Sequence, residues 1–199
     1  MRHAVVLAAA LALSGCAVEA VYEPVERVRA VAWAEPGPPT LTLVTVISNR
    51  DGSGAHTGLM VSGSQRVIFD PAGTWWNRDA PERGDVKYGI TPAMLDIYVD
   101  YHARPAYHVV LQELEVDAAT AARAMALVEA RGPVGKAACA QATSGILREL
   151  GFAGVGRTFW PKSIMRDFAR IPGVTERSVF DDTEDADSPG KIYRPPAGT

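Results

Sequence analysis

The segment Glu35-Pro36-Gly37-Pro38-Pro39 divides this chain more firmly than any other feature in it. Each proline locks φ and lacks a backbone donor, so neither a helix nor an inner strand can run through the segment. A domain is therefore expected from residue 40 onward, over residues 40–180. With 47% apolar and 22% charged residues the composition supports a real core, and the length suits one domain. The formal net charge of −3, with no Lys/Arg cluster interleaved with aromatics, argues against a nucleic-acid partner.

Before the proline segment the pattern is different. Arg2 and His3 precede ten apolar residues, Ala4 to Leu13, about half of the ~20 needed to cross a bilayer as a helix. That is the layout of a secretory signal. Leu13-Ser14-Gly15-Cys16 then resembles a bacterial lipobox, in which the cysteine takes a diacylglycerol and becomes the new N-terminus. The alternative is an ordinary secretory signal with a chance cysteine. The lipobox reading makes residues 1–15 a signal peptide and residues 16–39 a lipid-anchored tether, held to the membrane by acyl chains of which two suffice. Ala17 is not the aspartate that retains many lipoproteins at the inner membrane, so the expected address is the outer membrane, facing the periplasm. If Cys16 carries lipid, Cys139 is the one remaining thiol and no internal disulfide can form. It is either buried and inert or kept for its chemistry.

Within the domain, Leu41 to Ile47 is β-branched and apolar and reads as a strand, followed by turn residues from Asn49 to Gly54. His56 to Val61 and Arg66 to Asp70 read as a hairpin around Ser62-Gly63-Ser64. Residues 71–88, with Trp75 and Trp76, read as a long loop. Thr91 to Tyr101 is an expected helix with Pro92 at its first position, and Tyr107 to Glu115 an expected strand. Asp117 then caps a helix on which Ala118, Ala121, Ala122, Met125 and Val128 recur until Gly132-Pro133 stops it. A second helix, from about Ala138 to Leu150, carries Cys139, Ala142, Thr143, Ile146, Leu147 and Leu150 on one stripe. A short helix is expected from Lys162 to Arg170, and residues 181–199 form an acidic, Pro-rich tail expected to be poorly ordered.

Cys139 in a first helical turn is placed for chemistry, because the partial positive charge there favours the thiolate, which is the nucleophile. A base is then needed, and His56, His102 and His108 are the candidates once His3 leaves with the signal. His56 opens a strand after a glycine-rich loop, where it can reach solvent and the sheet edge. His108 lies inside an apolar strand and reads as packed; His102, beside Arg104-Pro105, reads as surface. A tip of Ser62-Gly63-Ser64 pairs Val61 with Gln65 and sets Asp70 directly opposite His56, able to orient its ring. A two-residue tip turns Asp70 to the other face. Alternatively Asp70-Pro71 merely begins a turn, and Asn49 is the next candidate. One thiol and scattered histidines supply no metal ligand set, and no cofactor is expected. Ser144 and Ser163 stand in no Gly-x-Ser-x-Gly context.

The order of these parts, namely a strand opening with His56, an acidic residue on the next strand, and a late helix beginning at Cys139, resembles the circularly permuted papain-like enzymes of the NlpC-type superfamily. That group includes lecithin retinol acyltransferase-like proteins and bacterial permuted amidase lipoproteins. The resemblance spans roughly Leu41 to Leu150 and is carried by His56-Thr57-Gly58-Leu59-Met60-Val61, Val67-Ile68-Phe69-Asp70-Pro71 and Ala137-Ala138-Cys139-Ala140-Gln141-Ala142. It implies an α+β fold with an antiparallel sheet packed on the Cys139 helix. It also implies Cys139 as nucleophile, His56 as base and Asp70 as orienter, in a thiol peptidase, amidase or acyl hydrolase working through an acyl thioester. Where many members carry a polar neighbour of the cysteine, this chain has Ala138 and Ala140, which leaves the Cys139 backbone N–H as the expected oxyanion donor. Cell-wall peptides and lipid acyl groups are the substrates that the location suggests. The rival expectation is a non-catalytic lipoprotein of the same fold that binds peptide, glycan or lipid on Trp75, Trp76 and Trp160.

Overall fold

The computed structural model describes residues 20–181; the signal, the Cys16 lipobox and the tail beyond residue 181 lie outside them. Seven antiparallel strands form one sheet in the order β4-β5-β3-β2-β1-β6-β7. They are β1 (Thr40–Ser48), β2 (Gly54–Ser62), β3 (Arg66–Phe69), β4 (Glu82–Arg83), β5 (Val86–Lys87), β6 (Tyr107–Glu115) and β7 (Thr175–Val179). The helices are α1 (Val25–Ala30), α2 (Pro92–His102), α3 (Ala118–Arg131), α4 (Cys139–Glu149) and α5 (Pro161–Phe168). Among the described residues no helix is long and apolar enough to cross a membrane.

Both faces of the sheet are covered, which explains why β1 reads as a continuous apolar run instead of an alternating one. Leu41, Leu43, Leu59, Val61, Val67, Phe69 and Leu114 face a core completed by α3, α4 and α5. Val44, Met60, Ile68 and Leu111 face a second core, completed by Trp75, Ile90 and by Tyr98 and Val99 of α2. Local signals set the helix ends. Asp117 accepts the Thr120 N–H at 2.6 Å to start α3, and Gly132, at φ 65°, ends it in a conformation glycine adopts without steric cost. Thr91 caps α2 by accepting from Met94 N, ahead of Pro92.

Two expectations are corrected, and one element is new. The stretch read as a tether folds onto the domain from about residue 21: α1 buries Val28 in the larger core, Arg66 ion-pairs with Glu35, and its guanidinium lies 4.3 Å over the Trp33 ring. α1 ends at Ala30, well before the proline segment, and its Val28 side chain covers part of the larger core. The loop over residues 71–88 contains β4 and β5 and seals Trp75 inside. An unexpected edge strand, β7, pairs with β6; its residues are mostly exposed, so it carries no apolar alternation to read.

Candidate active site

The β2–β3 hairpin places the first two groups. Its register pairs Ser62 with Arg66, Val61 with Val67 and Leu59 with Phe69, so the tip is Gly63-Ser64-Gln65, two residues of register away from the expected one. Extending that pairing puts Asp70 across from Gly58, not His56. A shift of two keeps side-chain parity, so Asp70 and His56 still share a face as diagonal neighbours. Gly58 lets the carboxylate cross the gap. A Cβ there would stand 2.9 Å from the Phe69 carbonyl oxygen, 3.3 Å from Tyr98 Oη and 3.7 Å from Asp70 Oδ1. As a result His56 Nε2 meets Asp70 Oδ1 at 2.7 Å, and Tyr98 donates its hydroxyl to the same oxygen at 2.9 Å.

Burial works against a charged Asp70, but the charge and hydrogen bond of His56 outweigh it, with His102 and Lys87 adding, and hold the carboxyl well below the usual range. Burial likewise pulls His56 down. The Asp70 charge and hydrogen bond, together with Cys139, overcome this and push the imidazole up to about 10, so that it is an imidazolium near neutrality. Nε2 being taken by Asp70, Nδ1 is the ring atom left for the thiol.

Cys139 begins α4, whose N-cap Ala138 supplies no side-chain hydrogen bond, so the first-turn N–H groups keep their donor capacity. The thiol is nearly buried, at 7% exposure. Burial raises its pKa, but the hydrogen bond and charge of His56, then the N–H groups of Thr57 and Ala140, bring it below its ordinary value. β3 pairs with β2 only over Leu59–Ser62, and the Thr57 N–H that serves the sulfur belongs to the part of β2 beyond that pairing.

Asp85, which the sequence did not single out, ties the two loops together. Its Oδ2 accepts the Ala72 N–H at 3.0 Å and the Val134 N–H at 3.1 Å, while its carbonyl accepts the Asp70 N–H at 2.8 Å. The turn carrying Asp70 is thereby joined to the loop that leads into Cys139. Ala72 (φ 57°), Asp85 (φ 65°) and Ala137 (φ 65°) are the non-glycine residues with left-handed φ among the described residues, and all three flank this junction. Such conformations cost energy and persist where surrounding contacts impose them.

His102 is not the surface residue expected. It stacks parallel to His56, centroids 5.8 Å apart and planes 6° from parallel, and its Nδ1–H donates to the Tyr98 carbonyl at 2.8 Å. Burial pushes it down to about 4 despite Asp70, so it stays neutral with a free Nε2 lone pair. Tyr98 and His102, one helical turn apart on α2, share a face, a spacing that could have flagged both. His108 is not packed in the strand interior: at the start of β6 it donates from Nδ1 to Asn49 Oδ1 at 2.6 Å and stacks on Phe180. Asn49 is thus committed to His108 and to the Pro105 carbonyl, and does not orient His56. Trp75 lies edge-on to Tyr98 in the core, which removes it from any binding platform with Trp76 and Trp160.

His56, Asp70 and His102 also correct the view that the histidines are scattered. Each offers one ligand atom, all within 4.8 Å of one another. A zinc-like ion would suit this donor set, and the His102–carbonyl bond is the outer contact that commonly orients a ligating imidazole. The 2.7 Å His56–Asp70 contact would have to open and give up its proton to admit an ion.

Comparison with protein-family models, with curated proteins and with solved structures finds no match for this chain.

Proposed function

We propose that this chain is a cysteine hydrolase of the permuted papain-like kind, cleaving an amide or ester bond in the bacterial cell envelope, to which Cys16 anchors it through lipid. The observation that supports the reading is a single imidazole, His56, held by a buried carboxylate at 2.7 Å, together with a thiol at the start of a helix whose pKa that imidazole lowers.

In this reading the Cys139 thiolate attacks the carbonyl carbon, forming the C–S bond as the carbonyl electron pair moves to oxygen. The oxyanion faces the Cys139 backbone N–H, a fixed donor placed where charge develops. His56 then gives its proton to the leaving nitrogen or oxygen, that bond breaks, and an acyl thioester remains. Water attacks the thioester, returns a proton to His56 and releases the acid and the thiolate. Asp70 fixes the ring and its charge through Nε2, and Tyr98 fixes Asp70.

Alkylation of Cys139 by iodoacetamide against pH, followed on the Cys139 peptide by mass spectrometry, tests the reading without a known substrate. The midpoint is expected below the ~8.5 of a free cysteine and should rise in His56→Ala. Slow alkylation at every pH, indifferent to His56, overturns it in favour of a binding protein with an inert core thiol. For the anchor, labelled palmitate is expected to mark the wild-type protein and not Cys16→Ala; label persisting in the variant refutes lipidation there. Ala17 favours the outer membrane, facing the periplasm.

A further inference from the structure

Phe159 and Trp160 are 59% and 71% exposed, adjacent in sequence, and left uncovered among the described residues. They sit on a preformed turn: the Trp160 N–H donates to Thr158 Oγ1 at 3.1 Å, and α5 directly after it is pinned by buried Pro161, Ile164 and Phe168. The cations around them are in excess. Arg157 and Lys162 flank the pair and Arg166 follows one turn on, while Asp167, the one carboxylate of the stretch 157–170, is taken by Arg170 at 3.0 Å. This local positive charge stands in a chain whose formal net charge is −3.

The patch borders the candidate active site. Gly54, two residues before His56, lies against α5 so closely that a Cβ there would be 2.8 Å from the Lys162 nitrogen. Lys162 Nζ donates to the Gly52 carbonyl at 2.7 Å, and the Thr158 N–H reaches Ser144 of the Cys139 helix. Beside His56, on its stacking partner His102, lies an open groove lined by Val46, Ala55, Tyr101, His102, Arg104 and Tyr107. Its walls are mostly apolar and suit a hydrocarbon chain better than a peptide backbone, which needs partners for its polar groups.

An indole beside a phenyl ring, ringed by Arg and Lys, matches the boundary of an anionic bilayer, where aromatic side chains sit at headgroup depth and cations meet acidic lipids. We infer that Phe159 and Trp160, with Arg157, Lys162 and Arg166, seat the mouth of this site on an anionic lipid surface, and that the group cleaved belongs to a membrane-held acyl substrate. The substrate half rests on the hydrolase reading; the docking half does not.

The full chain, reconstituted into vesicles of phosphatidylethanolamine and phosphatidylglycerol with or without brominated acyl chains, provides the test. The fluorescence lost in Trp160→Phe isolates the Trp160 emission. That component should be quenched by brominated lipid, and quenched less when phosphatidylcholine replaces phosphatidylglycerol or when Phe159 is changed to Ser. Emission indifferent to bromine overturns the docking, and quenching indifferent to phosphatidylglycerol overturns the assignment to an anionic surface. A concentration-dependent blue shift without vesicles would give the patch to a second copy of the chain. The Cys139 alkylation midpoint, expected unchanged in Phe159→Ser, reports separately on the hydrolase reading: quenching of Trp160 with an inert Cys139 keeps the docking and removes the acyl substrate.

Discussion

Gly58→Ala is the substitution through which the site geometry can be tested most directly. The φ of Gly58 is not left-handed, so alanine is allowed by the backbone and only the space around its Cβ matters. That methyl would stand 2.9 Å from the Phe69 carbonyl oxygen, a backbone atom that cannot rotate aside, and 3.3 Å from Tyr98 Oη. Overpacking of this sort costs about 1–3 kcal/mol. If Tyr98 moves and its 2.9 Å bond to Asp70 is lost, a buried donor and a buried carboxylate are left short of partners, at about 1–3 kcal/mol more. Alanine also reduces the freedom of the unfolded chain, returning about 0.4–1 kcal/mol. The steric terms win, and a net loss of about 1–5 kcal/mol is expected. Urea unfolding at constant m-value measures it, and the Cys139 alkylation midpoint should rise in the same protein as His56 loses Asp70. Gly145→Ala on α4 is the control: nothing lies within 4 Å of a Cβ there, and replacing a mid-helix glycine should stabilise by up to about 1 kcal/mol. A Gly58→Ala protein with wild-type stability and a wild-type midpoint would refute the diagonal His56–Asp70 arrangement.

Asp70→Asn should leave the fold intact while raising the Cys139 midpoint and cutting turnover, because the amide no longer holds a charged ring; an unchanged midpoint would make Asp70 a turn residue. Stability should fall on both sides of pH ~6.5. His102, at about 4 folded against 6.5 unfolded, binds more protons when unfolded, so its contribution is full above 6.5 and is lost as the pH falls toward 4, by about 3 kcal/mol at about 1.4 kcal/mol per unit. His56, raised from 6.5 to about 10, has the opposite sign: its contribution is full below 6.5 and is lost as the pH rises through 10. His102→Gln should flatten the acid limb alone, as read by thermal unfolding across pH; a limb unaltered in that variant refutes the assignment. Asp85→Ala should cost about 1–3 kcal/mol for each N–H it leaves unpaired and raise the Cys139 midpoint, whereas Asp85→Asn, which keeps a carbonyl acceptor and tolerates left-handed φ, should restore both. A normal midpoint in a folded Asp85→Ala protein would confine Asp85 to a structural role.

What could be read in advance was local. The bounds of β6 and the caps of α2 and α3 follow from alternation, from Asp117 and Thr91, and from Gly132, because each depends on residues within a few positions of itself. The register of the β2–β3 hairpin does not. The stretch Ser62 to Gln65 is polar throughout, so nothing in it distinguishes one tip from the next, and Arg66 looks like part of the turn although its charge is buried between the Ile90 carbonyl and Glu35. That compensation comes from residues remote in sequence, one of them inside the segment that seemed to be only a tether. Asp70 could still be picked because a register error of two preserves the face of every side chain, whereas an error of one would have turned it away from His56. Asp85 gave no signal at all: its partners are backbone N–H groups, which have no residue identity to read.

The charge states of the two stacked imidazoles follow from that same arrangement and limit what the site can hold. Asp70 is the one carboxylate in the His56–Asp70–His102 group, and its Oδ1 is directed at His56 and Tyr98, while Oδ2 has no hydrogen-bond partner among the described residues. One buried anion can balance one cation beside it, and a second positive ring 5.8 Å away would add like-charge repulsion to its own desolvation. The proton therefore goes to His56, which is bonded to the carboxylate, and His102 is held neutral by burial, with the His56 and Arg104 charges adding, against the pull of Asp70 and of its bond to the Tyr98 carbonyl. His102 thus helps keep water from the ring while leaving the proton where Cys139 can use it. A divalent ion in the same pocket would need the Nε2 lone pair that now carries the proton, so metal binding competes with the charged form of the ring that lowers the thiol pKa. Zinc titrated against the wild-type protein should slow Cys139 alkylation in proportion to occupancy, and His102→Gln, lacking the third ligand, should weaken that inhibition without altering the metal-free rate; equal inhibition in both proteins would place the zinc on the thiol and remove His102 from the ligand set.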